Sequence, residues 1–255
     1  MPANGFVYTQ DFNSLAANGG SSITTAAWVN DGTLPGWSLF TSTLGPPPTY
    51  RAEIGNQDIG SFNSHGAGGS SDRALGAIGA DNSDFGSPPA GSVAGDIAVA
   101  FTNNTGGTID SFTLSFSGEQ WRYSNAPAQQ MVLNFGLGNS FAAVADWVAP
   151  GGSFDWSSPL TGAPGLGGID GNGIGRVAGV GGTQVLTWAA GETLWLRWIE
   201  RNDVGADHGL GIDDLSFSVT AVPEPAAWLL LVGGLAPLKL RRAGPHSKRA
   251  DGGCG

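Results

Sequence analysis

Asp96-Ile97-Ala98-Val99-Ala100-Phe101, then Asn103-Asn104-Thr105-Gly106-Gly107, then Ile109 to Gly118 form the stretch whose reading decides the fold. The first segment alternates in period two, the second is a run of turn formers, and the third sets Phe112, Leu114 and Phe116 on one face. Alternation of this kind marks a half-buried strand, whereas a helix spaces its apolar residues three and four apart. Two strands are therefore predicted, and the short loop between them predicts that they pair as a β-hairpin.

The same period recurs on both sides. Gln130 to Gly136 points Met131, Leu133 and Phe135 inward. Thr193 to Glu200 sets Leu194, Leu196 and Trp198 against Trp195, Arg197 and Ile199 on the other face. Ile212 to Thr220 does so with Leu215, Phe217 and Val219, and the first strand, Gly5 to Phe12, is expected beside it. Gly/Ser/Pro/Asn-rich loops are expected over 45–50, 61–72, 83–95 and 150–175, and Asp72 to Gly79 reads as a short helix or strand. Many short strands joined by glycine-rich turns imply an all-β, two-sheet jelly-roll-like sandwich over residues 6–221. No repeat of propeller or solenoid period is visible.

Composition agrees with a loop-rich β-protein. Glycine supplies 43 of 255 residues without the three-residue period of collagen, and only 13% of residues are charged. Before residue 222 the cations are Arg51, Arg73, Arg122, Arg176, Arg197 and Arg201, with no lysine, against nearly all of the chain's Asp and Glu. Such an acidic body excludes nucleic acid as a partner, because phosphate recognition needs basic patches. Cys254 is the single cysteine, so no disulfide framework and no cysteine-based metal site can form within the chain.

The end of the chain, residues 222–249, differs from the body. Pro223-Glu224-Pro225 precedes an apolar run from Ala226 to Leu238 and a basic stop, Lys239-Leu240-Arg241-Arg242. The run is expected to form a short apolar helix, shorter than the ~20 residues of a full span, with the cations held cytoplasmic. In this order the motif Pro223, Glu224, Pro225, Arg241 and Arg242 resembles the PEP-CTERM sorting tail of bacterial surface proteins. The resemblance implies an exported precursor held transiently at the inner membrane and cut by an exosortase-type protease. It implies deposition at the cell surface or in an exopolysaccharide matrix as well. Met1-Pro2-Ala3-Asn4-Gly5 lacks the charged start and apolar core of a signal peptide, so a start upstream of Met1 is expected.

The densest polar block runs from Glu200 to Asp214. Together with Leu196-Arg197-Trp198, Gly118-Glu119-Gln120-Trp121-Arg122 and Ile169-Asp170-Gly171-Asn172, it resembles β-sandwich modules of bacterial extracellular proteins, which implies an accessory domain. Three readings compete for it. Asp and Asn can cap tight turns while Arg197 or Arg201 pairs with a carboxylate. Asp203, Asp207 and Asp213 or Asp214 can supply hard oxygens to a structural Ca²⁺, the one cofactor that the sequence suggests. In an extended strand Asp213 and Asp214 face opposite sides, so at most one joins an inward site. His208 oriented by Asp207 can act as a base, although no nucleophile elbow or His-Glu-x-x-His is present.

Glu119 and Glu200 could form a glycosidase pair only if close across a cleft, and the simpler reading pairs Glu119 with Arg122, Arg197 or another arginine. Of the body tryptophans, Trp28, Trp37, Trp121, Trp188, Trp195 and Trp198 read mainly as core. Trp147 and Trp156, flanked by loop residues, are the candidates for an exposed sugar-stacking face. Gly167-Gly168-Ile169-Asp170-Gly171-Asn172-Gly173 fits no phosphate-loop pattern and reads as a surface loop. The sequence thus points to a non-enzymatic surface or matrix protein that binds polysaccharide, with a hydrolase acting on an extracellular polymer as the alternative.

Overall fold

The computed structural model describes residues 6–20, 23–162 and 167–221. The sorting motif and the expected apolar helix lie outside these residues. Among the described residues no helix is long and apolar enough to cross a membrane.

The chain is all-β. In order its strands are β1 (Phe6–Gln10), β2 (Thr24–Ala27), β3 (Trp37–Thr41), β4 (Thr49–Glu53), β5 (Ser61–His65), β6 (Ala74–Ile78) and β7 (Ser92–Thr102). There follow β8 (Ile109–Tyr123), β9 (Gln130–Leu137), β10 (Trp156–Ser157), β11 (Gly167–Gly168), β12 (Arg176–Trp188), β13 (Thr193–Asn202) and β14 (Gly209–Ala221). They form a nine-stranded sheet, β11-β8-β14-β6-β5-β4-β2 with β1 on β14 and β12 on β8, and a five-stranded sheet, β10-β9-β13-β7-β3. β1 lies antiparallel to β14, from Phe6 opposite Val219 to Gln10 opposite Leu215, as the end strands predict.

The inward faces meet in one core. Phe101 of β7 stacks on Phe217 of β14 at 4.1 Å, Phe112 of β8 meets Phe135 of β9 edge-on at 5.5 Å, and Phe116 of β8 meets Trp198 of β13 at 5.5 Å. Each pair joins one sheet to the other, so the aromatic residues of alternating strands make the inter-sheet layer.

The expected hairpin over 96–118 is not formed. β7 pairs with β13 and β3 in the smaller sheet, whereas β8 pairs with β12, β14 and β11 in the larger. The loop between them is a corner that crosses the sandwich, and Asn103 holds it. Its fully buried side chain donates to the carbonyls of Gly107 and Trp188 at 2.9 Å each. It also accepts from the Thr105 amide at 3.0 Å and the Thr105 hydroxyl at 2.7 Å. Because Trp188 ends β12, the same amide also ties the second crossing, from β12 to β13. Period-two alternation reports which residues face the core, and both partners of a hairpin and both sides of a corner satisfy it.

Asn103→Ala removes the side-chain donor to the buried Trp188 carbonyl, while the part-buried Gly107 carbonyl keeps the Thr105 hydroxyl, and is expected to cost about 2 kcal/mol of stability. Urea unfolding checks this, and a change below about 0.5 kcal/mol would show that Asn103 does not hold the corner. One loop reading changes, since 61–72 contains strand β5, and the helix-or-strand reading of 72–79 is settled as strand β6.

Candidate functional site

The outer face of the smaller sheet carries an aromatic cluster. Alternation along β13 turns Trp195 and Arg197 outward while Leu194, Leu196 and Trp198 fill the core. Register then sets Asn134 of β9 opposite Arg197 and Asp96 of β7 opposite Phe40 of β3. Gly136 stands opposite Trp195, and a Cβ there would collide with Val144 and the Asp146 carbonyl. Its absence lets the segment after β9 lie flat on the sheet, which brings Phe141 and Trp147 onto the same face.

Phe141 is buried beneath three half-buried rings. It stacks on Phe40 at 3.9 Å and 14°, meets Trp195 edge-on at 5.7 Å and lies 5.1 Å from Trp147. The Arg197 guanidinium sits over the Trp147 ring, 4.1 Å from its centroid, a cation–π contact. It also donates to Asn134 Oδ1 at 3.1 Å and faces Asp96 Oδ1 at 3.5 Å. Burial pushes the Asp96 carboxyl up to about 6 against the pull of Arg197, and burial lowers Arg197 from its ordinary value. Partly buried rings beside a guanidinium can stack on apolar sugar faces and donate to their hydroxyls, whereas the Asn134 and Asp96 side chains are themselves buried.

Trp147, expected to be an exposed platform, lies on this outer face partly buried, with the Arg197 guanidinium over its ring and Phe141 beside it. Trp156 is no platform: it is 3% exposed, and its indole packs where Gly118 has no side chain. Its position in β10 beside Met131 of β9 turns it into the core. The sequence reading missed Phe40 and Trp195 as members of the face. The signal was the i, i+2 pairing of Trp195 with Arg197 on the polar side of a strand.

The block from Asn202 to Asp214 is divided. Asp207 closes its own loop, accepting from the Asp203 amide at 3.0 Å and from Gln129 Nε2 at 3.1 Å. Burial, then the neighbouring Asp203, pushes its carboxyl up to about 7. His208 is fully buried, and its Nδ1 contacts Ser158 Oγ at 2.9 Å and Gln120 Nε2 at 3.2 Å. Asp207 and His208 therefore hold different partners and make no base–orienter pair. Asp213 is buried and pushed up to about 8, chiefly by burial, while exposed Asp214 pairs with Arg176 at 2.6 Å. The four aspartates thus fall in two places. Among the described residues no group of three or more His, Cys, Asp or Glu side chains is arranged to hold a metal ion.

Glu119 accepts from Trp121 Nε1 at 2.9 Å instead of pairing with Arg122 or Arg197, and burial raises it to about 7. Glu200 accepts from the Gly79 amide at 3.0 Å, and burial raises its carboxyl well above the usual range. Glu119 belongs to the larger sheet and Glu200 to the smaller. A buried network that the sequence did not reveal lies near Glu119. His65 contacts Glu53 through Nδ1 and lies parallel to Trp121 at 6.4 Å, and Arg73 bonds Ser64 and the Glu53 carbonyl. Burial opposes the charge on Glu53, but His65, the Gly55 amide and Arg122 outweigh it and hold the carboxyl below its usual value. The sequence blocks 118–122 and 169–172 also meet here, with the Ile169 amide on the Trp121 carbonyl at 2.9 Å and Gly171 against the Trp121 indole.

No family profile matches the sequence, and no curated protein matches it. Solved structures similar to the chain include the CBM22-1 xylan-binding domain of Paenibacillus barcinonensis Xyn10C, at 10% identity and a TM-score of 0.34, covering 82% of this chain and 100% of that one. The K3 cleaved adhesin domain of Lys-gingipain from Porphyromonas gingivalis is 11% identical with a TM-score of 0.34, covering 77% of this chain and 99% of that one. The GH26-CBM35 β-(1,4)-mannanase of Podospora anserina is 14% identical with a TM-score of 0.25, covering 88% of this chain and 29% of that one. At these TM-scores none of them assigns a function to this chain.

Proposed function

We propose that the chain is an exported, non-enzymatic surface or matrix protein whose sandwich binds polysaccharide through Phe40, Trp147 and Trp195. The observation that carries this reading is the cluster of three half-buried rings on one sheet face, next to the Arg197–Asn134–Asp96 hydrogen-bonding set. The separate engagement of His208 and Asp207, and the placement of Glu119 and Glu200 on different sheets, support binding over hydrolysis. Affinity electrophoresis of residues 6–221 through gels containing xylan, mannan, β-glucan or bacterial exopolysaccharide tests it. At least one polymer should retard the protein, and free migration in all of them would refute the reading.

The destination rests on the tail. Pro223-Glu224-Pro225, the apolar run and Arg241-Arg242 support release from the inner membrane by an exosortase-type protease, followed by surface deposition. Replacing Pro223, Glu224 and Pro225 by alanine should leave an uncleaved, membrane-retained precursor on immunoblots of cell fractions. Normal release of that variant would contradict the assignment.

A further inference from the structure

A pocket of about 260 Å³ lies between Gly79 after β6, Asn202 at the end of β13 and Asp207 in the loop before β14. Asp58 and Asp81 line it and are exposed, and Arg122 lines it while only 4% exposed. Arg122 is the unusual group. Among the described residues its guanidinium makes one long hydrogen bond, from Nη1 to the Gly55 carbonyl at 3.4 Å, and no carboxylate lies within ion-pair distance. A guanidinium has five N–H donors, and those of Arg122 without a protein partner are not sealed from solvent, so they are open to a ligand in the pocket.

The lining selects what that ligand can be. The carboxylates of Asp58 and Asp81 oppose an anion, and Asp207 adds a partly protonated carboxyl. The buried cation of Arg122 opposes a metal ion, and no metal-holding group is present among the described residues. A neutral polyol meets both demands, because each hydroxyl accepts from a guanidinium and donates to a carboxylate. Asp207 Oδ1 is occupied by the Asp203 amide and Gln129, which leaves its second oxygen to accept. The volume falls just below the ~300–1,000 Å³ of drug-sized sites, which suits a single ring.

We infer that this pocket holds one neutral sugar residue, gripped by Arg122 and Asp207, and that Asp58 and Asp81 at its rim exclude acidic sugars. The inference rests on the polysaccharide-binding reading and adds to it a second, distant subsite with a stated preference. Two subsites on one chain would also raise avidity for a polymer that reaches both.

Saturation-transfer NMR on the full 255-residue chain, with methyl glycosides of glucose, galactose and mannose and with glucuronate, tests it. At least one methyl glycoside should bind with millimolar affinity, and glucuronate at least about tenfold more weakly. Arg122→Met should abolish the signal. Because that variant removes a buried group, the rim variant Asp58→Asn/Asp81→Asn carries the test independently. It should narrow the gap between neutral sugar and glucuronate, a change that a merely structural role would not produce. The inference is overturned if no methyl glycoside binds by about 50 mM, if glucuronate binds equally well, or if the rim variant leaves the preference unchanged. A Trp147→Ala/Trp195→Ala variant separates the two sites, since it should lose polymer retardation and keep the monosaccharide signal.

Discussion

Between pH 5 and pH 8 the melting temperature of residues 6–221 is expected to fall by roughly 6–12 °C. The cause is a set of buried carboxyls whose folded values lie far above their ordinary ones. Asp213 is pushed to about 8, Asp207 and Glu119 to about 7, Asp96 to about 6, and Glu200 well above 4.5, in each case chiefly by burial. Between the ordinary carboxylate values and about pH 8 the folded chain therefore binds more protons than the unfolded one. Stability then falls as pH rises. It is highest near pH 4–5 and is lost progressively as Asp96, Glu119, Asp207 and Asp213 must ionise in place.

His208, held below its ordinary value chiefly by burial, offsets part of this fall below about pH 6.5, and Glu53 has the opposite sign too. Its carboxyl is held below 4.5, so its contribution is present above the ordinary value and lost only as the solution becomes more acidic than that, outside the window. A tenfold change in a carboxyl's acidity on folding corresponds to about 1.4 kcal/mol. Asp213 with Glu119, and Asp207 with Glu200, influence each other's protons, so the set is counted together at about 3 kcal/mol, well under its simple sum. Scanning calorimetry across this range checks the slope, and Asp213→Asn should flatten it and raise the melting temperature at pH 8. A flat or rising profile would mean that these carboxyls are not desolvated as described.

The second large effect concerns binding. Truncating Trp147 and Trp195 together should weaken retention by the best polymer about a hundredfold, at ~1–2 kcal/mol for each truncated ring. Single truncations should fall between about five- and thirtyfold. Neither ring is in the core, so the variants should stay folded, and Trp195→Phe, which keeps a ring, should recover part of the loss. Retention within threefold of the parent in the double variant would move the binding surface elsewhere.

How much of this was legible in the sequence depends on what each residue does. Strands with a one-sided pattern were readable. The apolar sets Phe112/Leu114/Phe116, Met131/Leu133/Phe135 and Leu215/Phe217/Val219 all face inward. Strand partners were less so. The corner at Asn103 looks like a hairpin turn locally, because only the distant Trp188 carbonyl shows that the chain changes sheet. Strand β5, Ser-Phe-Asn-Ser-His, hid because its polar residues are buried on both faces, Ser64 and His65 in contact with Arg73 and Glu53 and Ser61 with Asn63, and period two needs one solvated face to be visible.

The site was half legible for a similar reason. Trp147 was marked by its loop setting, but Trp156 has the same kind of neighbours and differs only in pairing with β9 over Gly118, a contact far away in sequence. One reading paired Arg197 or Arg201 with a carboxylate, and Arg197 faces Asp96, a pairing that depends on the β7–β13 register. The carboxyls of the 202–214 block look alike in the sequence. Only the opposite faces of Asp213 and Asp214 follow from strand alternation, and they are seen, with Asp213 buried and Asp214 exposed beside a bulge.

The most direct measurement is a titration of ¹⁵N-labelled residues 6–221 with the retarding polysaccharide, followed by the tryptophan indole N–H signals. The account predicts that the Trp147 and Trp195 signals move or broaden, while those of core residues Trp37, Trp156, Trp188 and Trp198 stay fixed. Saturable binding that leaves Trp147 and Trp195 unperturbed would contradict it.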